Sequence, residues 1–153
     1  MPVNADPHAP PATAPGDFAA LLHARGQRAT PQRLVILREL RRTGRHCTAD
    51  ELRGAIGHEL PGTSTPTVYA TLDLLVELGL ARRIDAGTGA TLYDPRTEPH
   101  AHVACRACGR VEDLECAVDS AALLRAGRDA GFRGDAVDVT IHGLCAACAA
   151  AHR

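Results

Sequence analysis

Two Cys-x2-Cys steps constrain this chain more than any other feature of its sequence. The first runs from Cys105 to Cys108 and the second from Cys145 to Cys148. Four thiolates at this spacing suit the tetrahedral shell of a structural zinc ion, which is closed and leaves no coordination position for catalysis. Four buried apolar cysteines are the alternative, but two matched pairs rarely arise from packing alone. We therefore expect a zinc-stabilised domain in the C-terminal part of the chain.

Length and composition bound the remaining possibilities. The 153 residues suffice for one mid-sized domain or two small ones, and a small domain has a thin core that benefits from a bound metal. The chain has no apolar run of about 18 residues, and it starts Met-Pro-Val-Asn-Ala-Asp rather than with a basic and apolar leader. We expect a soluble cytoplasmic protein with no membrane partner. Its six cysteines should be metal ligands or reduced thiols rather than disulfides.

The N-terminal part of the chain is predicted to be a tail followed by helices. Residues 1–16 hold five of the ten prolines and cannot bury enough apolar surface to fold, which predicts a disordered tail. Thr30-Pro31 and Thr65-Pro66 each resemble an N-cap followed by proline at the first helical position. Thr48 and Glu51 have the spacing of a capping box. With leucines recurring on one face, the predicted helices cover residues 17–25, 30–42, 48–56 and 65–78.

A hairpin signal follows these helices. Residues 81–85 and 90–93 are short strand-like runs separated by Ala-Gly-Thr-Gly, which is typical of a hairpin turn. Three or four helices followed by a hairpin predict a winged helix-turn-helix over residues 17–93. On periodicity alone, an ordinary helical bundle with a solvated polar face is the alternative.

The helix that begins near Pro66 is the candidate recognition helix, because the second helix of a helix-turn-helix lies in the major groove. Threonine and tyrosine can contact phosphates and thymine methyl groups, and arginines in the wing can neutralise phosphates. We expect the helix to expose its candidate DNA-contacting residues. The candidates are Thr65, Thr67, Tyr69, Ala70 and Thr71 in the helix, and Arg82 and Arg83 in the wing.

The C-terminal part is predicted to be a small α/β domain joined by a hinge. Residues 94–99 contain two prolines and predict the hinge, and residues 100–153 predict strands around one helix, so that the whole chain is of the α+β class. His100 and His102 lie two apart on a predicted strand, so their imidazoles project from the same face. Such a pair beside a zinc knuckle favours metal binding over two isolated surface histidines.

Five short strings occur in one order along the chain, and together they carry a resemblance. The strings are Thr30-Pro-Gln-Arg33, His46-x-Thr-Ala-Asp50, Thr67-Val-Tyr69, His100-x-His102-x-x-Cys105-x-x-Cys108-Gly109 and Gly143-Leu-Cys145-x-x-Cys148. In this combination, the chain from Asp17 to Cys148 resembles the ferric uptake regulator family of bacterial metal-dependent repressors. The resemblance implies a homodimer that binds palindromic operator DNA through its winged helices, with no small organic substrate and no enzymatic activity.

The resemblance also implies a second metal site with a chemistry different from that of the zinc site. The residues at the matching positions are His46, Asp94, His100, His102 and Asp113. Three imidazoles and two carboxylates suit Fe(II) or Mn(II) at five-coordination better than a tetrahedral zinc ion. These residues come from both predicted domains and the hinge. Filling the shell would therefore fix one domain against the other and make the DNA affinity depend on metal.

The chain departs from the family pattern at several positions. Many relatives have ligands of a further metal site where this chain has Pro99 and Ala101, so we expect that site to be absent. Many peroxide sensors have asparagine where this chain has Ala70, which bears on operator preference. Cys47 and Cys116 match no ligand position, and we expect small buried or half-buried thiols there.

Aspartate at positions 94 and 113 is most similar to the peroxide-sensing branch of the family. In that branch, bound Fe(II) reacts with hydrogen peroxide and a ligand histidine is oxidised, which releases DNA; His46 and His100 match those histidines. An iron-, manganese- or zinc-responsive uptake regulator is the alternative within the family. A mononuclear non-haem iron enzyme is an alternative of another class, although it must keep coordination positions open. A zinc-stabilised DNA-binding module without a sensor is a further alternative.

Overall fold

A computed structural model describes residues 15–87 and 89–151, so residues 1–14 of the expected tail lie outside the described part. The described chain divides into two compact units. The first unit comprises the residues up to Ile84 together with Thr91–Thr97. The second comprises the described residues of Asp85–Ala90 and those from Glu98 onward.

Four helices form most of the first unit. They are α1 (Pro15–Ala24), α2 (Pro31–Thr43), α3 (Ala49–Ile56) and α4 (Thr65–Glu77). Helix α1 begins two residues before the expected start at Asp17. The Thr30 hydroxyl caps α2 by accepting a hydrogen bond from the Arg33 N–H at 3.4 Å. Thr48 and Glu51 form the predicted capping box at the start of α3.

The cap of α4 differs from the prediction by one residue. The Ser64 hydroxyl, not that of Thr65, accepts a hydrogen bond from the Thr67 N–H at 3.3 Å. Thr65 is therefore the first residue inside the helix and Pro66 the second. Proline is tolerated there because the N–H groups of a first turn have no partner within the helix.

Aliphatic side chains on one face of each helix build the core of the first unit. Its most deeply buried members are at most 1 % exposed, namely Phe18, Leu22, Ile36, Leu40, Cys47, Ala49, Leu52, Val68, Leu72, Leu75 and Tyr93. Burying one such aliphatic side chain contributes about 1.5–3 kcal/mol. The predicted leucine stripes therefore face this core, and packing holds the short helices in place.

The predicted hairpin is present after α4. It consists of β1 (Arg82–Asp85) and β2 (Thr91–Asp94), which pair in a two-stranded sheet. The connecting turn contains Gly87 and Gly89 with φ angles of +67° and +84°. Residues with side chains rarely adopt this conformation, which explains the glycines at these two turn positions.

A three-stranded sheet organises the second unit. Its strands are β3 (Ala101–Cys105), β4 (Val111–Leu114) and β5 (Val139–Gly143), in the spatial order β4-β3-β5. Strands β3 and β4 are antiparallel, whereas β3 and β5 are parallel. The parallel pair requires a crossover, which contains helix α5 (Ser120–Asp129). Asp119 caps α5 by accepting a hydrogen bond from the Ala122 N–H at 2.8 Å.

A short helix α6 (Ala146–Ala151) follows β5 and was not expected from the sequence. Its sequence, Ala-Ala-Cys-Ala-Ala-Ala, carries no apolar stripe or cap signal, which is why periodicity does not reveal it. Within residues 15–87 and 89–151, no helix combines the length and apolarity needed to cross a bilayer.

Candidate metal centres

The four cysteines of the two Cys-x2-Cys steps converge in the second unit. Cys105 ends β3, Cys108 lies in the turn before β4, Cys145 follows β5 and Cys148 lies on α6. The parallel register pairs Cys105 with Gly143 and so brings the two steps side by side. The four sulfur atoms lie within 4.8 Å of one another, and Cys108 Sγ is 3.9 Å from Cys145 Sγ. A tetrahedron with Zn–S bonds of about 2.3 Å has edges of about 3.8 Å.

Electrostatics at this cluster favour a bound cation. Backbone N–H groups, first that of Cys145 and then those of Cys108 and Ala107, lower the pKa of the Cys105 thiol to about 6. The Cys145 N–H lies 3.3 Å from Cys105 Sγ. The pKa of Cys148 is raised to about 12, first by the side chain of Cys145 and then by the other two thiols. Four thiolates therefore need a positive charge among them, and a dication with tetrahedral geometry fits.

A second cluster in this unit joins two histidines and an aspartate. Strand register places His102 of β3 directly opposite Asp113 of β4. Asp113 Oδ1 lies 3.2 Å from His100 Nε2 and 3.7 Å from His102 Nε2. The two imidazole rings have centroids 4.4 Å apart. His100 immediately precedes β3, and the two imidazoles meet the same carboxylate, as expected from their spacing of two residues.

The two imidazoles are held in a buried environment. His100 and His102 are 4 % and 1 % exposed. His100 Nδ1 lies 2.8 Å from the carbonyl oxygen of Glu98. When Nδ1 donates its proton to this carbonyl, the lone pair of Nε2 is directed toward Asp113, which is how metal-binding histidines are usually oriented. The arrangement therefore offers two nitrogen atoms and one carboxylate to a metal ion.

The first unit carries a separate imidazole and carboxylate pair. His46 precedes α3, Asp94 ends β2, and His46 Nε2 lies 3.5 Å from Asp94 Oδ2. A bridge between Cys47 and Tyr93 brings them together, with N–H···O distances of 3.1 and 2.9 Å. Asp94 is buried, and its Oδ1 accepts a hydrogen bond from the Arg96 N–H at 2.8 Å. This pair matches the donor chemistry of the cluster in the second unit.

Cys47 and Cys116 belong to neither cluster among the residues that the structure describes. Cys47 is 1 % exposed, and burial is the main reason why its pKa is raised to about 11. It is the inert buried thiol that we expected. Cys116 differs from the expectation because it is exposed.

Most of the candidate DNA-contacting residues lie on the surface of the first unit. Thr67, Tyr69, Ala70 and Arg83 are exposed, whereas Thr65 and Arg82 are half-buried. The expected exposure of Thr71 is wrong. This residue is 4 % exposed, and its hydroxyl donates to the Thr67 carbonyl at 2.9 Å. Its hydroxyl is therefore bonded within α4 rather than presented to solvent.

A groove beside the start of α4 is lined by polar residues that are not among the predicted DNA-contacting residues. It has a volume of about 700 Å³ and lies between the α1–α2 connection and α4. Arg28, Gln32 and Arg33 line it together with Thr67 and Ala70. Arg33 Nη1 donates to the Arg28 carbonyl at 2.7 Å. The Thr30-Pro-Gln-Arg33 string predicts the start of α2 and contributes to the family resemblance, but neither of these assigns a function to the Arg33 side chain.

Comparison with known proteins identifies the family of this chain. The model of the ferric uptake regulator family matches residues 24–142. The chain belongs to the ferric uptake regulator family. Members of this family are metal-dependent transcriptional regulators that bind operator DNA as dimers, and they are not enzymes. This chain is therefore such a regulator rather than a non-haem iron enzyme or a plain helical bundle.

Individual members of the ferric uptake regulator family are similar over most of the chain. Ferric uptake regulation protein 1 of Mycolicibacterium fortuitum is 37 % identical over 124 residues, which cover 80 % of this chain and 76 % of that protein. The Campylobacter jejuni peroxide stress regulator is 34 % identical, with a TM-score of 0.58 over 75 % of this chain and 86 % of that one. A zinc uptake regulator complexed with zinc and DNA is 27 % identical, with a TM-score of 0.60 over 90 % and 94 %.

Proposed function

We propose that this repressor holds a regulatory Fe(II) or Mn(II) ion and that its Fe(II)-loaded form senses peroxide. The proposed ligands are His46 and Asp94 from the first unit, and His100, His102 and Asp113 from the second. The observation that carries the proposal is the position of Asp113, whose Oδ1 faces the Nε2 atoms of both imidazoles. Nitrogen and oxygen donors without a thiolate favour Fe(II) or Mn(II).

The four-cysteine cluster is proposed to hold the structural zinc ion. Its sulfur atoms have the spacing of a tetrahedral shell, and all four positions are filled by the protein. Zinc at Cys105, Cys108, Cys145 and Cys148 would tie the end of β3 to α6 and stabilise a unit in which no residue of α5 or α6 is buried.

With the regulatory site filled, His46 and Asp94 are tied to the ligands of the second unit, which restricts the orientations available to the DNA-binding unit. Residues 94–99 act as the hinge between domains 17–93 and 100–153. Bound Fe(II) would supply the reducing chemistry that activates hydrogen peroxide. One oxygen atom of the peroxide would be added to the imidazole ring of His46 or His100 and the other would leave as water, and the oxidised ring would bind the metal less well and release the restraint.

Operator binding in the cytoplasm is proposed to use the surface around the start of α4. Thr67, Tyr69 and Ala70 are exposed there and would meet base edges and phosphates, with Thr65 at the first turn and Arg82 in the wing. We expect Arg82→Ala to weaken binding about equally for all operator sequences, because a phosphate contact carries no sequence information. Tyr69→Ala should cost more affinity and change base preference. Wild-type binding by both variants would mean that the interface lies elsewhere.

A homodimer is supported by apolar side chains that the second unit leaves on its surface. Leu123 of α5, Phe132, Ile141 of β5 and Leu144 are 50, 72, 54 and 49 % exposed. Four exposed large apolar residues in one small unit indicate an association surface. Dyad symmetry in the protein then matches a palindromic operator.

The test is operator binding before and after brief exposure to hydrogen peroxide, with duplexes selected on the Mn(II)-loaded protein. We expect Fe(II)-loaded protein to lose binding and to gain one oxygen atom on a peptide that contains His46 or His100. Manganese-loaded protein should keep binding. Oxidation confined to cysteine residues, or equal loss of binding with manganese, would overturn the peroxide proposal.

A metal-uptake regulator is the second candidate. It is favoured by the 37 % identity to a protein named as a ferric uptake regulation protein. In that case, binding would follow the concentration of free metal and would be restored by fresh Fe(II) after peroxide treatment. Zinc as the sensed metal is less compatible with a cluster that lacks a thiolate.

A further inference from the structure

Tyr93 links the His46–Asp94 pair to helix α4 within the first unit. Its backbone pairs with Cys47 through two hydrogen bonds, so the chain neighbours of this bridge are His46 and Asp94. Side chains alternate along a strand, so those of Tyr93 and Asp94 leave β2 on opposite faces. The Tyr93 ring is 1 % exposed and packs in the helical core. The backbone of Tyr93 therefore holds the His46–Asp94 pair in place through its bonds to Cys47, and the Tyr93 side chain packs in the core.

The Tyr93 hydroxyl contacts the candidate recognition helix, α4. It donates a hydrogen bond to Asp73 Oδ1 at 3.1 Å, and Asp73 lies in the middle of α4. The same oxygen atom accepts a hydrogen bond from Arg83 Nη2 of β1. Asp73 and Arg83 also form an ion pair, and their side chains are 46 % and 53 % exposed. One carboxylate oxygen of α4 thus contacts both strands of the wing, β1 and β2.

We propose that Tyr93, Asp73 and Arg83 form a clamp that fixes the recognition helix α4 and strand β1 of the wing to β2, the wing strand that carries Asp94. Arg83 is then a positioning residue for the wing, whereas the sequence suggested a phosphate contact. The clamp rests on the proposed metal-dependent DNA binding, because it transmits the order imposed at His46 and Asp94 to α4 and β1. An exposed ion pair alone contributes little, but here a buried phenol holds the carboxylate on one side.

The competing account treats Asp73 as a surface acid and Arg83 as a phosphate ligand. The two accounts predict opposite signs for Asp73→Asn. If Arg83 binds phosphate, removing the nearby negative charge should tighten binding, and Arg83→Gln should reduce the salt slope by about one. If the clamp positions the wing, Asp73→Asn should weaken binding of the metal-loaded protein, and Arg83→Gln should do so without changing the salt slope.

The experiment measures operator affinity of the full-length protein without metal and with Mn(II), at several salt concentrations. The probe is a palindromic duplex selected on the wild-type protein with Mn(II). The variants are Tyr93→Phe, Asp73→Asn, Arg83→Gln and the double variant of the last two, and Glu77→Gln is the control that removes a charge one turn further along α4. Mn(II) affinity is measured separately by calorimetric titration.

We expect each clamp variant to lose about fivefold or more of the gain in operator affinity that Mn(II) gives the wild type. The double variant should be no weaker than either single variant, because the residues act through one contact. Mn(II) affinity of Asp73→Asn should stay at the wild-type value, since this residue is no ligand. Tyr93→Phe keeps the ring in the core, and thermal unfolding of the metal-free protein checks that it remains folded.

The outcomes separate the clamp from the function on which it rests. If the wild type itself gains no affinity from Mn(II), the proposed metal dependence fails. If the wild type gains affinity and all three single variants keep the full gain, the clamp fails. Tighter binding by Asp73→Asn together with a lower salt slope for Arg83→Gln would also overturn it and would assign Arg83 to phosphate.

Discussion

His102 and Asp113 lie directly opposite each other in the antiparallel ladder between β3 and β4. Because paired residues of neighbouring strands point to the same face, the ladder itself aims the Asp113 carboxylate at the His102 imidazole. The donor pair is therefore fixed by backbone hydrogen bonds rather than by a flexible loop. A rigid pair of this kind would bind a metal ion with little rearrangement.

We predict that Asp113→Ala removes the regulatory metal but not the zinc. The substitution removes one oxygen donor from the cluster. Mn(II) affinity should fall by at least about tenfold, because mutating a residue that only hydrogen-bonds to a metal ligand already lowers metal affinity by about that factor. Mn(II) titration and zinc analysis on the same sample give the result. Glu112→Gln, one residue earlier on β4, is the matched control and should keep both metals. Unchanged Mn(II) affinity in Asp113→Ala would remove Asp113 from the site.

Cys105→Ser should lose zinc and the dimer together. Structural zinc contributes folding free energy on the order of 10 kcal/mol in small domains, and Cys105 joins the end of β3 to the turn that carries Cys145. Zinc content and sedimentation measure the two effects. The exposed Cys116 provides the control, because Cys116→Ser should retain zinc and dimer. A zinc-free Cys105→Ser protein that remained dimeric and melted cooperatively would contradict the structural role of zinc.

Sequence patterns predicted the convergence of the cysteine and histidine side chains better than the exposure of the candidate DNA-contacting residues. Cysteine spacing and strand alternation are local, so Cys105, Cys108 and the His100–His102 pair could be placed from the sequence alone. The pairing of Asp113 with His102 is long-range, and only the family resemblance suggested it. The burial of Thr71 was missed because a threonine in an amphipathic helix fits either face. The bond between Arg83 and Asp73 joins two elements that no local pattern relates.

We predict that Ile141→Asp weakens the dimer. Ile141 is 54 % exposed on β5, which is an edge strand of the described sheet, and Leu144 beside this strand is 49 % exposed. A charge buried in an association surface is costly. The dissociation constant should therefore rise about tenfold or more. Analytical ultracentrifugation checks this. Leu21→Asp, at a similarly exposed position of the first unit, should leave dimerisation unchanged; equal effects of the two changes would argue against this surface.

Alkaline pH should destabilise the protein through Tyr93. Burial, followed by the bond to Asp73, raises the pKa of Tyr93 to about 12, above the ordinary value of 10. A group with a raised folded pKa stabilises the fold below its unfolded pKa and loses this contribution as pH rises through the folded pKa. Stability should therefore fall between about pH 10 and pH 12. Tyr93→Phe should flatten this fall in denaturant titrations. An identical fall in both proteins would assign the effect to other groups.

Asp113→Glu should separate metal binding from peroxide chemistry. The substitution keeps the negative charge but adds one methylene, which moves the carboxylate relative to His100. In the wild-type protein, Asp113 Oδ1 lies 3.2 Å from His100 Nε2. Metal-dependent operator binding should persist, because the donor type and charge are retained. Oxidation of the Fe(II)-loaded protein by hydrogen peroxide should slow by about tenfold or more, because the reaction depends on the geometry around the oxidised imidazole. Mass spectrometry of the peptides that contain His46 and His100 gives the rate. If the variant were oxidised as fast as the wild type, the geometry of Asp113 would not control sensing.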